Sequence, residues 1–249
     1  MKKIRMYLTM SFLVSVLACA NSTDKFLVDN DASPCNLLVA HYGFDGNVND
    51  SSTNQNHAEL HGPTLTTDRF SNPNRAYQFD GVNDFIRIPA SCVLDFEFGD
   101  FSFSFWLRYG SQSGGTHDYA AIFIKSTQFT GPYQGPTLFV DKPTSGGLLF
   151  RVTKNHHLYS NVSDTNENLW HHFVCIRQNN TLKVFIDGVL NAAAKIPAVN
   201  ASNAAPLIVG ANHQRQTSQN YEGAMDDLRI YSRALSEDEI QQLYSVENQ

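Results

Sequence analysis

The sequence predicts an all-β protein, a two-layer antiparallel β-sandwich with a short helix at its C-terminal end. Short apolar segments are separated by turn residues throughout, as expected for many strands joined by turns. Phe and Ser alternate from Phe101 to Phe105, a period of two that is typical of a strand. No helical pattern separates the strands, which favours two packed antiparallel sheets over a parallel sheet with crossover helices.

The individual strands are predicted from short apolar or alternating segments that end at turn residues. Thr181–Ile186 and Val189–Ala194 flank Asp187-Gly188, a two-residue turn that strongly indicates a hairpin. The other predicted strands are Leu37–Phe44, Ala76–Phe79, Asp84–Ile88, Phe101–Leu107, Tyr119–Lys125, Thr137–Val140, Gly147–Thr153, His171–Arg177 and Leu207–Gly210.

The predicted helix lies near the end of the chain. Ser236 is a suitable N-cap, and Glu239 stands three residues later as its capping-box partner. Ile240, Leu243 and Tyr244 form a short apolar face. The chain shows no internal repeat, so we expect one domain over residues 36–246.

Residues 1–18 are predicted to be a secretory signal. Lys2, Lys3 and Arg5 precede an apolar stretch that ends at Ala18, too short to anchor stably across a bilayer. The signal predicts that the protein is exported. The polar residues from Asn21 to Pro34 predict a flexible tether over residues 19–35.

The end of the signal allows two interpretations. Val16-Leu17-Ala18-Cys19 resembles the bacterial lipobox, in which the cysteine is lipidated and anchors the protein to a membrane surface. Ala18-Cys19-Ala20 also fits an ordinary cleavage site, which would release a secreted protein. The polar tether favours the lipoprotein.

The charge of the exported protein argues against nucleic acid as a partner. The chain has 24 acidic and 18 basic residues, and the signal holds three of the basic ones, which leaves a net charge of −9. A protein that binds nucleic acid must meet the phosphates with positive charge.

The cysteines predict a disulfide and no zinc or redox site. Cys35 and Cys92 both lie beside turn residues and could pair, since export permits disulfides. Cys175 lies inside an apolar strand, where a buried free thiol is expected. No spacing of Cys and His residues matches a zinc site.

Four parts of the chain, in this order, resemble one family. They are His41–Asn47 (HYGFDGN), Tyr77–Ile86 (YQFDGVNDFI), Phe101–Leu107 (FSFSFWL), and the end of the chain with Trp170–Val174 (WHHFV), Asp187-Gly188 and Gly223–Ser236 (GAMDDLRIYSRALS). Together they resemble the laminin-G-like, concanavalin A-like jelly-roll domain common in exported bacterial proteins. The resemblance covers nearly the whole mature chain and implies a binding module.

A calcium site is expected beside the first predicted strand. Asp45, Asn47, Asn49 and Asp50 place oxygen ligands in one turn, as calcium prefers, although the EF-hand glycine and glutamate are missing. The resemblance implies that calcium is held between this loop and the last long strand, where Asp226 would share a face with Leu228 and Ile230. The predicted ligands are Asp45, Asn47, Asp50 and Asp226, with a structural role. Alternatively, these residues form ordinary solvated turns.

Catalysis is not expected. The same fold carries glycoside hydrolases, which need two carboxylates across a sugar bond. Their common strand motif, Glu-x-Asp-x-x-Glu, is only approached by Asp95-Phe96-Glu97-Phe98, whose spacing differs. No nucleophile elbow or phosphate-binding glycine loop is present in the sequence.

The sequence therefore predicts a non-catalytic module that binds a carbohydrate or an extracellular protein. The alternatives are a structural or adhesive surface protein without glycan binding and, more remotely, a glycoside hydrolase. Sugar binding needs exposed aromatic faces beside polar groups. Phe129 and Tyr133 lie among glycines and prolines and are expected to be partly exposed in a loop. The further candidates are Tyr119, His156, His157 and Tyr159.

Overall fold

The structure of the protein is a computed structural model. It describes residues 38–109, 119–126, 134–141, 147–160, 168–212 and 219–246. The predicted signal, the tether and the two loop aromatics Phe129 and Tyr133 lie outside the described residues. Among those that are described, no helix is long and apolar enough to cross a membrane.

The described residues form strands that assemble into two sheets. The strands of both sheets, numbered in chain order, are β1 Leu38–Tyr42, β2 Glu59–His61, β3 Thr64–Thr66, β4 Ala76–Asp80, β5 Phe85–Ile88, β6 Phe101–Tyr109, β7 Tyr119–Ile124, β8 Gln134–Asp141, β9 Leu148–Thr153, β10 His156–Ser160, β11 His171–Gln178, β12 Thr181–Ile186, β13 Val189–Lys195, β14 Leu207–Val209 and β15 Glu222–Tyr231. A 3-10 turn spans Cys92–Leu94, and helix α1 spans Glu237–Val246.

Each sheet is antiparallel along its whole path. The first sheet has the order β13-β12-β11-β6-β15-β4-β3, with β1 paired to β15, and the second has the order β10-β9-β8-β7-β14-β5-β2. Every pair of named strands is antiparallel. The predicted two-layer antiparallel sandwich is confirmed.

The core lies between the two sheets and is rich in aromatic rings. Phe101, Phe103 and Phe105 of β6 are fully buried, because alternate residues of a strand point to the same face. Phe103 stacks on Phe123 of the opposite sheet with ring centroids 4.5 Å apart, and Phe101 meets Phe150 edge to face at 6.2 Å. The Phe/Ser alternation therefore identifies the inner face of β6.

Helix α1 covers part of the outer face of the first sheet. Ile240 is fully buried in a cluster with Val174, Ile176 and Phe185 of the sheet. The helix begins as the sequence predicts, because the Glu239 N–H donates to Ser236 Oγ at 3.2 Å and the Ser236 N–H donates to Glu239 Oε2 at 2.8 Å. The predicted C-terminal helix is confirmed.

Three short strands, β2, β3 and β10, were not predicted. The residues of β2 and β3 are mostly exposed at the sheet edges, so they carry no apolar alternation. Strand β10 contains three of the predicted ligand-binding residues, His156, His157 and Tyr159. Only Leu158 of this strand joins the main core, and one apolar residue gives no periodic signal.

Candidate functional site

Strand β15 changes partner along one of its edges. It pairs with β4 through Glu222–Met225 and with β1 through Leu228–Tyr231, so Asp226 and Asp227 lie between the two partners. On its other edge, the register with β6 slips by one residue between Asp226 and Arg229. Asp227 is the extra residue, with a φ of 50°. The result is a β-bulge, a device that redirects side chains.

The bulge places Asp226 on a different face from the predicted one. Asp226 lies opposite Trp106 on the outer side of the first sheet, whereas Leu228 and Ile230 belong to the inner core together with Met225. The expectation that Asp226 shares the face of Leu228 and Ile230 is wrong. A regular strand would place residues 226, 228 and 230 together, but the extra residue at the bulge reverses the alternation.

A hollow opens on the outer side of this junction, with a volume of about 180 Å³. We call it the Arg69 hollow. Its lining residues come from β1 and the loop that follows it, from the loop before β4, and from β15. They are His41, Gly43, Asp45, Asp68, Arg69, Phe70, Arg75, Asp226, Asp227 and Arg229.

The floor of the Arg69 hollow is a network of hydrogen bonds and ion pairs around two buried carboxylates. Arg69 donates from Nη1 to Asp226 and lies 3.4 Å through Nη2 from Asp227 Oδ2. Arg229 Nη2 lies 2.9 Å from the same Asp227 oxygen, and His41 Nε2 lies 2.7 Å from Asp227 Oδ1. The paired charges compensate one another, as buried charges must.

Asp226, the most deeply buried carboxyl group of this network, has a raised pKa. Burial raises the pKa of the Asp226 carboxyl to about 7, while the charge of Arg69 opposes this rise and that of Asp227 adds to it. The carboxyl group therefore changes its charge near neutral pH.

The rim of the Arg69 hollow carries three accessible side chains of different chemistry. Asp45 and Arg75 are exposed over 62% and 57% of their side chains, and the carboxylate Oδ1 lies 3.4 Å from the guanidinium Nε. Phe70 is 39% exposed. Exposed ion pairs of this kind are weak and rearrange easily, so both charged groups are available to a ligand.

The predicted calcium ligands are not brought together as one cluster. Asp50 accepts hydrogen bonds from the N–H groups of His41, Ser52 and Asn56 and from the Ser52 hydroxyl, at 2.8–2.9 Å. Asn47 accepts the Asn49 N–H at 2.8 Å, as in an ordinary turn.

The residues present do not fit the predicted calcium ion. In the described part of the chain, no group of three or more His, Cys, Asp and Glu residues could hold a metal ion. Asp45 and Asp226 both line the Arg69 hollow, but guanidinium groups already accompany them there. Calcium prefers six to eight oxygen ligands, and the positive charge of Arg69 opposes a second cation at this position.

The predicted ligand-binding aromatics that can be located lie on the second sheet. His157 and Tyr159 alternate with the inward Leu158, and their rings meet edge to face at 5.1 Å. Tyr159 is 58% exposed. Tyr119 is half-buried against Phe139, with ring centroids 6.3 Å apart.

Tyr119 lies on the same face of the second sheet as His157 and Tyr159 but is separated from them by two strands. Strands β8 and β9 lie between β7 and β10, which makes a distance of about 14 Å at the usual strand spacing. The His156 side chain hydrogen-bonds within the β9–β10 hairpin, where its Nδ1 lies 2.6 Å from Thr153 Oγ1. Only His157 and Tyr159 therefore form a contiguous exposed pair among the four located candidates.

The cysteines agree in part with their predicted roles. Cys92 is disulfide-bonded, while its predicted partner Cys35 lies outside the described residues, so that pairing stays a prediction. Cys175 is a buried free thiol, and its burial raises the pKa of the thiol well above the usual range.

Sequence reasoning missed Arg69, Phe70 and Arg75, which come from a turn-rich loop without a motif. The one available signal was the doublet Asp226-Asp227, because two adjacent acids in an apolar strand require nearby cations. The doublet does not reveal which of the 18 basic residues supplies them.

Solved structures confirm the fold. Domain 4 of AbnA, a GH43 extracellular arabinanase from Geobacillus stearothermophilus, was solved in complex with arabinotriose. It has a TM-score of 0.64 and 20% identity over 83% of this chain and 98% of that chain. The binding domain of Paraclostridial Mosquitocidal Protein 1 has a TM-score of 0.65 and 19% identity over 84% of this chain and 52% of that chain.

The botulinum neurotoxin serotype D ligand binding domain, solved in complex with N-acetylneuraminic acid, has a TM-score of 0.66. It is 17% identical over 85% of this chain and 51% of that chain. The chain thus spans about half the length of the two toxin domains. No curated protein sequence matches the chain.

The family comparison agrees with the motifs quoted from the sequence. A laminin-G-type family model matches residues 80–241, which is more than half of the chain. That range contains the Phe/Ser strand β6, the hairpin of β12 and β13, and the bulged strand β15. The chain belongs to the concanavalin A-like lectin/glucanases superfamily.

Proposed function

We propose that this protein is a non-catalytic carbohydrate-binding domain and that the Arg69 hollow holds part of the sugar. The main support for the proposal is that an exposed carboxylate, an exposed guanidinium group and an exposed aromatic ring lie together at the rim of the Arg69 hollow. These are Asp45, Arg75 and Phe70. Carboxylates and guanidinium groups bind hydroxyl groups in fixed directions, and an aromatic face packs on the C–H face of a sugar ring.

The size of the hollow sets the scale of the ligand. Its volume of about 180 Å³ is smaller than the roughly 300–1,000 Å³ typical of sites that enclose a drug-sized molecule. We therefore expect the hollow to hold one sugar unit, with the rest of an oligosaccharide extending over the surface.

Two structures of the same fold support carbohydrate as the ligand class. The AbnA domain was solved with arabinotriose and the serotype D domain with N-acetylneuraminic acid. Both are below 25% identical to this chain, so their ligands motivate the sugar classes to be screened first.

The chemistry of the floor supports binding without catalysis. A general acid must reach the glycosidic oxygen within hydrogen-bond distance. Asp226 has the raised pKa that such an acid needs, but its side chain is only 3% exposed and is held by Arg69. Asp227 is 6% exposed and is shared by Arg69, Arg229 and His41.

Screening on a glycan array, followed by titration calorimetry with a retained oligosaccharide, tests the proposal. Phe70→Ala and Arg75→Ala should each weaken binding about tenfold or more, because each removes a ligand contact worth about 1.4 kcal/mol or more. Phe98→Ala and Arg87→Ala are matched controls. Phe98 is 61% exposed, and Arg87 is paired with Glu59 at 2.8 Å.

The predicted aromatic site on the second sheet provides a competing location. The double variants His157→Ala/Tyr159→Ala and Phe129→Ala/Tyr133→Ala should retain full affinity if the Arg69 hollow is the site. If either double variant loses binding while Phe70→Ala and Arg75→Ala bind fully, the sugar site lies at the residues of that double variant. The proposed carbohydrate-binding function would then still hold.

Either of two results would contradict the proposed function. If the folded protein retains no glycan but captures an extracellular protein, the alternative of an adhesive surface protein is favoured. Turnover of the bound oligosaccharide would show an enzyme.

A further inference from the structure

The junction of β15 with the loops beside it concentrates negative charge away from water. Asp226 and Asp227 are both buried and adjacent in sequence. Two buried carboxylates repel each other and lose their hydration, so they require a cation within contact distance. Arg229 and His41 contact Asp227 alone, so the cation that contacts both carboxylates determines what holds the loop before β4 on the last strand.

Arg69 has the position and the shape required. Its guanidinium contacts Asp226 through Nη1 and Asp227 through Nη2, and its side chain is only 10% exposed. A planar guanidinium contacts two carboxylates from one fixed geometry, which an ammonium group cannot do. Arg69 thereby connects the loop before β4 to the bulge of β15.

Two aromatic rings hold the guanidinium in place. The guanidinium carbon lies 4.6 Å from the ring centroid of Phe70 and 5.2 Å from that of Trp106. Cation–π contacts of this geometry are stronger in a desolvated site than at an exposed one. The position of Arg69 is therefore determined by packing as well as by charge.

The loop that carries Arg69 is itself constrained next to that residue. Asp68 accepts the N–H groups of Phe70 and Asn72 at 2.9 and 2.7 Å, and the side-chain amide of Asn72 at 3.0 Å. These bonds close a turn around Arg69, so little conformational entropy is lost when the ion pairs form.

We propose that Arg69 is the resident cation of this junction and takes the place of a structural calcium ion. The chain accordingly folds to full stability without calcium. This inference does not depend on carbohydrate binding, because it concerns only the attachment of the loop before β4 to β15.

Thermal unfolding of the wild-type protein at pH 8 gives the first test. The melting temperature should agree within about 1 °C between 2 mM calcium chloride and excess chelator, because a ligand that does not bind the folded state cannot stabilise it. Calorimetric titration with calcium chloride should show no saturable heat. A lower melting temperature in chelator, or saturable calcium binding, would overturn the proposal.

Substitution of Arg69 gives the second test. Arg69→Met keeps the length and packing but removes the charge, and should lower the melting temperature at pH 8 by about 5–15 °C. The matched control Arg87→Met, which breaks an exposed pair with Glu59, should change it by less than about 2 °C. Equal losses in the two variants would contradict the role of Arg69.

A double-mutant cycle separates charge compensation from packing. Asp226→Asn removes one buried charge, so Arg69→Met/Asp226→Asn should recover part of the stability lost in Arg69→Met. Strictly additive losses would refute a charge-compensating role. If Arg69→Met does not fold, Arg69→Lys takes its place, and its loss should likewise shrink in the Asp226→Asn background.

Discussion

Asp226 shows how a single carboxyl group depends on its tertiary environment. Its side chain is 3% exposed and lies beside a second carboxyl group and the Arg69 guanidinium. Burial raises its pKa to about 7, although Arg69 opposes the shift. The folded protein therefore binds a proton at Asp226 that the unfolded chain releases near the ordinary pKa of an aspartate.

A pH dependence of stability follows from Asp226. Between about pH 4 and pH 7 the folded state holds more protons than the unfolded chain at this residue, so its contribution to the free energy of unfolding falls as pH rises, by about 2–4 kcal/mol. Urea unfolding of the wild type and Asp226→Asn at several pH values measures this contribution as their difference. A difference that does not change with pH would contradict the raised pKa.

The comparison with Asp226→Asn is needed because His172 acts in the opposite direction. Burial lowers the pKa of His172 to about 4, so the unfolded chain binds the proton first as pH falls below about 6.5. The contribution of His172 to stability is lost as pH falls through that range. The wild type and Asp226→Asn both retain His172, so its effect cancels in the difference between their free energies of unfolding.

Helix α1 is the element that closes the outer face of the first sheet. Ile240 is fully buried among sheet residues, and Tyr244 stacks on Trp106 with ring centroids 5.9 Å apart. The helix has only ten residues, too few to be stable alone in water. Its stability therefore depends on this apolar contact.

Truncation of Ile240 should undock the helix. Ile240→Ala is expected to lower the free energy of unfolding by about 2–5 kcal/mol, because it removes a fully buried side chain. Urea unfolding followed by tryptophan fluorescence measures the change, since Tyr244 covers Trp106. The exposed Gln242→Ala is the matched control and should change stability by less than about 0.5 kcal/mol. Equal stability in both variants would mean that the helix contributes little.

At the scale of the whole molecule, export and attachment stay predictions. The family match covers residues 80–241 and therefore does not test the predicted signal or tether. Residues 1–37, which carry the predicted signal, tether and lipidated Cys19, lie outside the described residues.

Detergent partitioning tests the attachment of the exported protein. If Cys19 is lipidated, the mature protein should enter the detergent phase and Cys19→Ser should move it to the aqueous phase, because stable attachment requires the acyl chains. A wild-type protein that stays in the aqueous phase with Asn21 as its first residue would support the ordinary cleavage site instead.

The fold could be predicted from the sequence because its main signals are local. The alternation in β6 depends on neighbouring residues, and the Asp187-Gly188 turn adopts the positive φ values of 50° and 78° expected for a tight hairpin. The capping box of α1 spans three residues. Each of these patterns involves residues close together in the chain, so the sequence by itself determined the longer strands, the helix and the class of fold, but not the edge strands β2, β3 and β10.

Only the tertiary structure decided the candidate site. The bulge at Asp226-Asp227 depends on the pairing of β15 with β6, β4 and β1 together, and it reverses the face that simple alternation predicts. Arg69 is 157 positions from Asp226 in the chain, so no local pattern could join them. Side chains from distant loops meet only after the strand order and register have formed, because those long-range pairings set the positions of the loops.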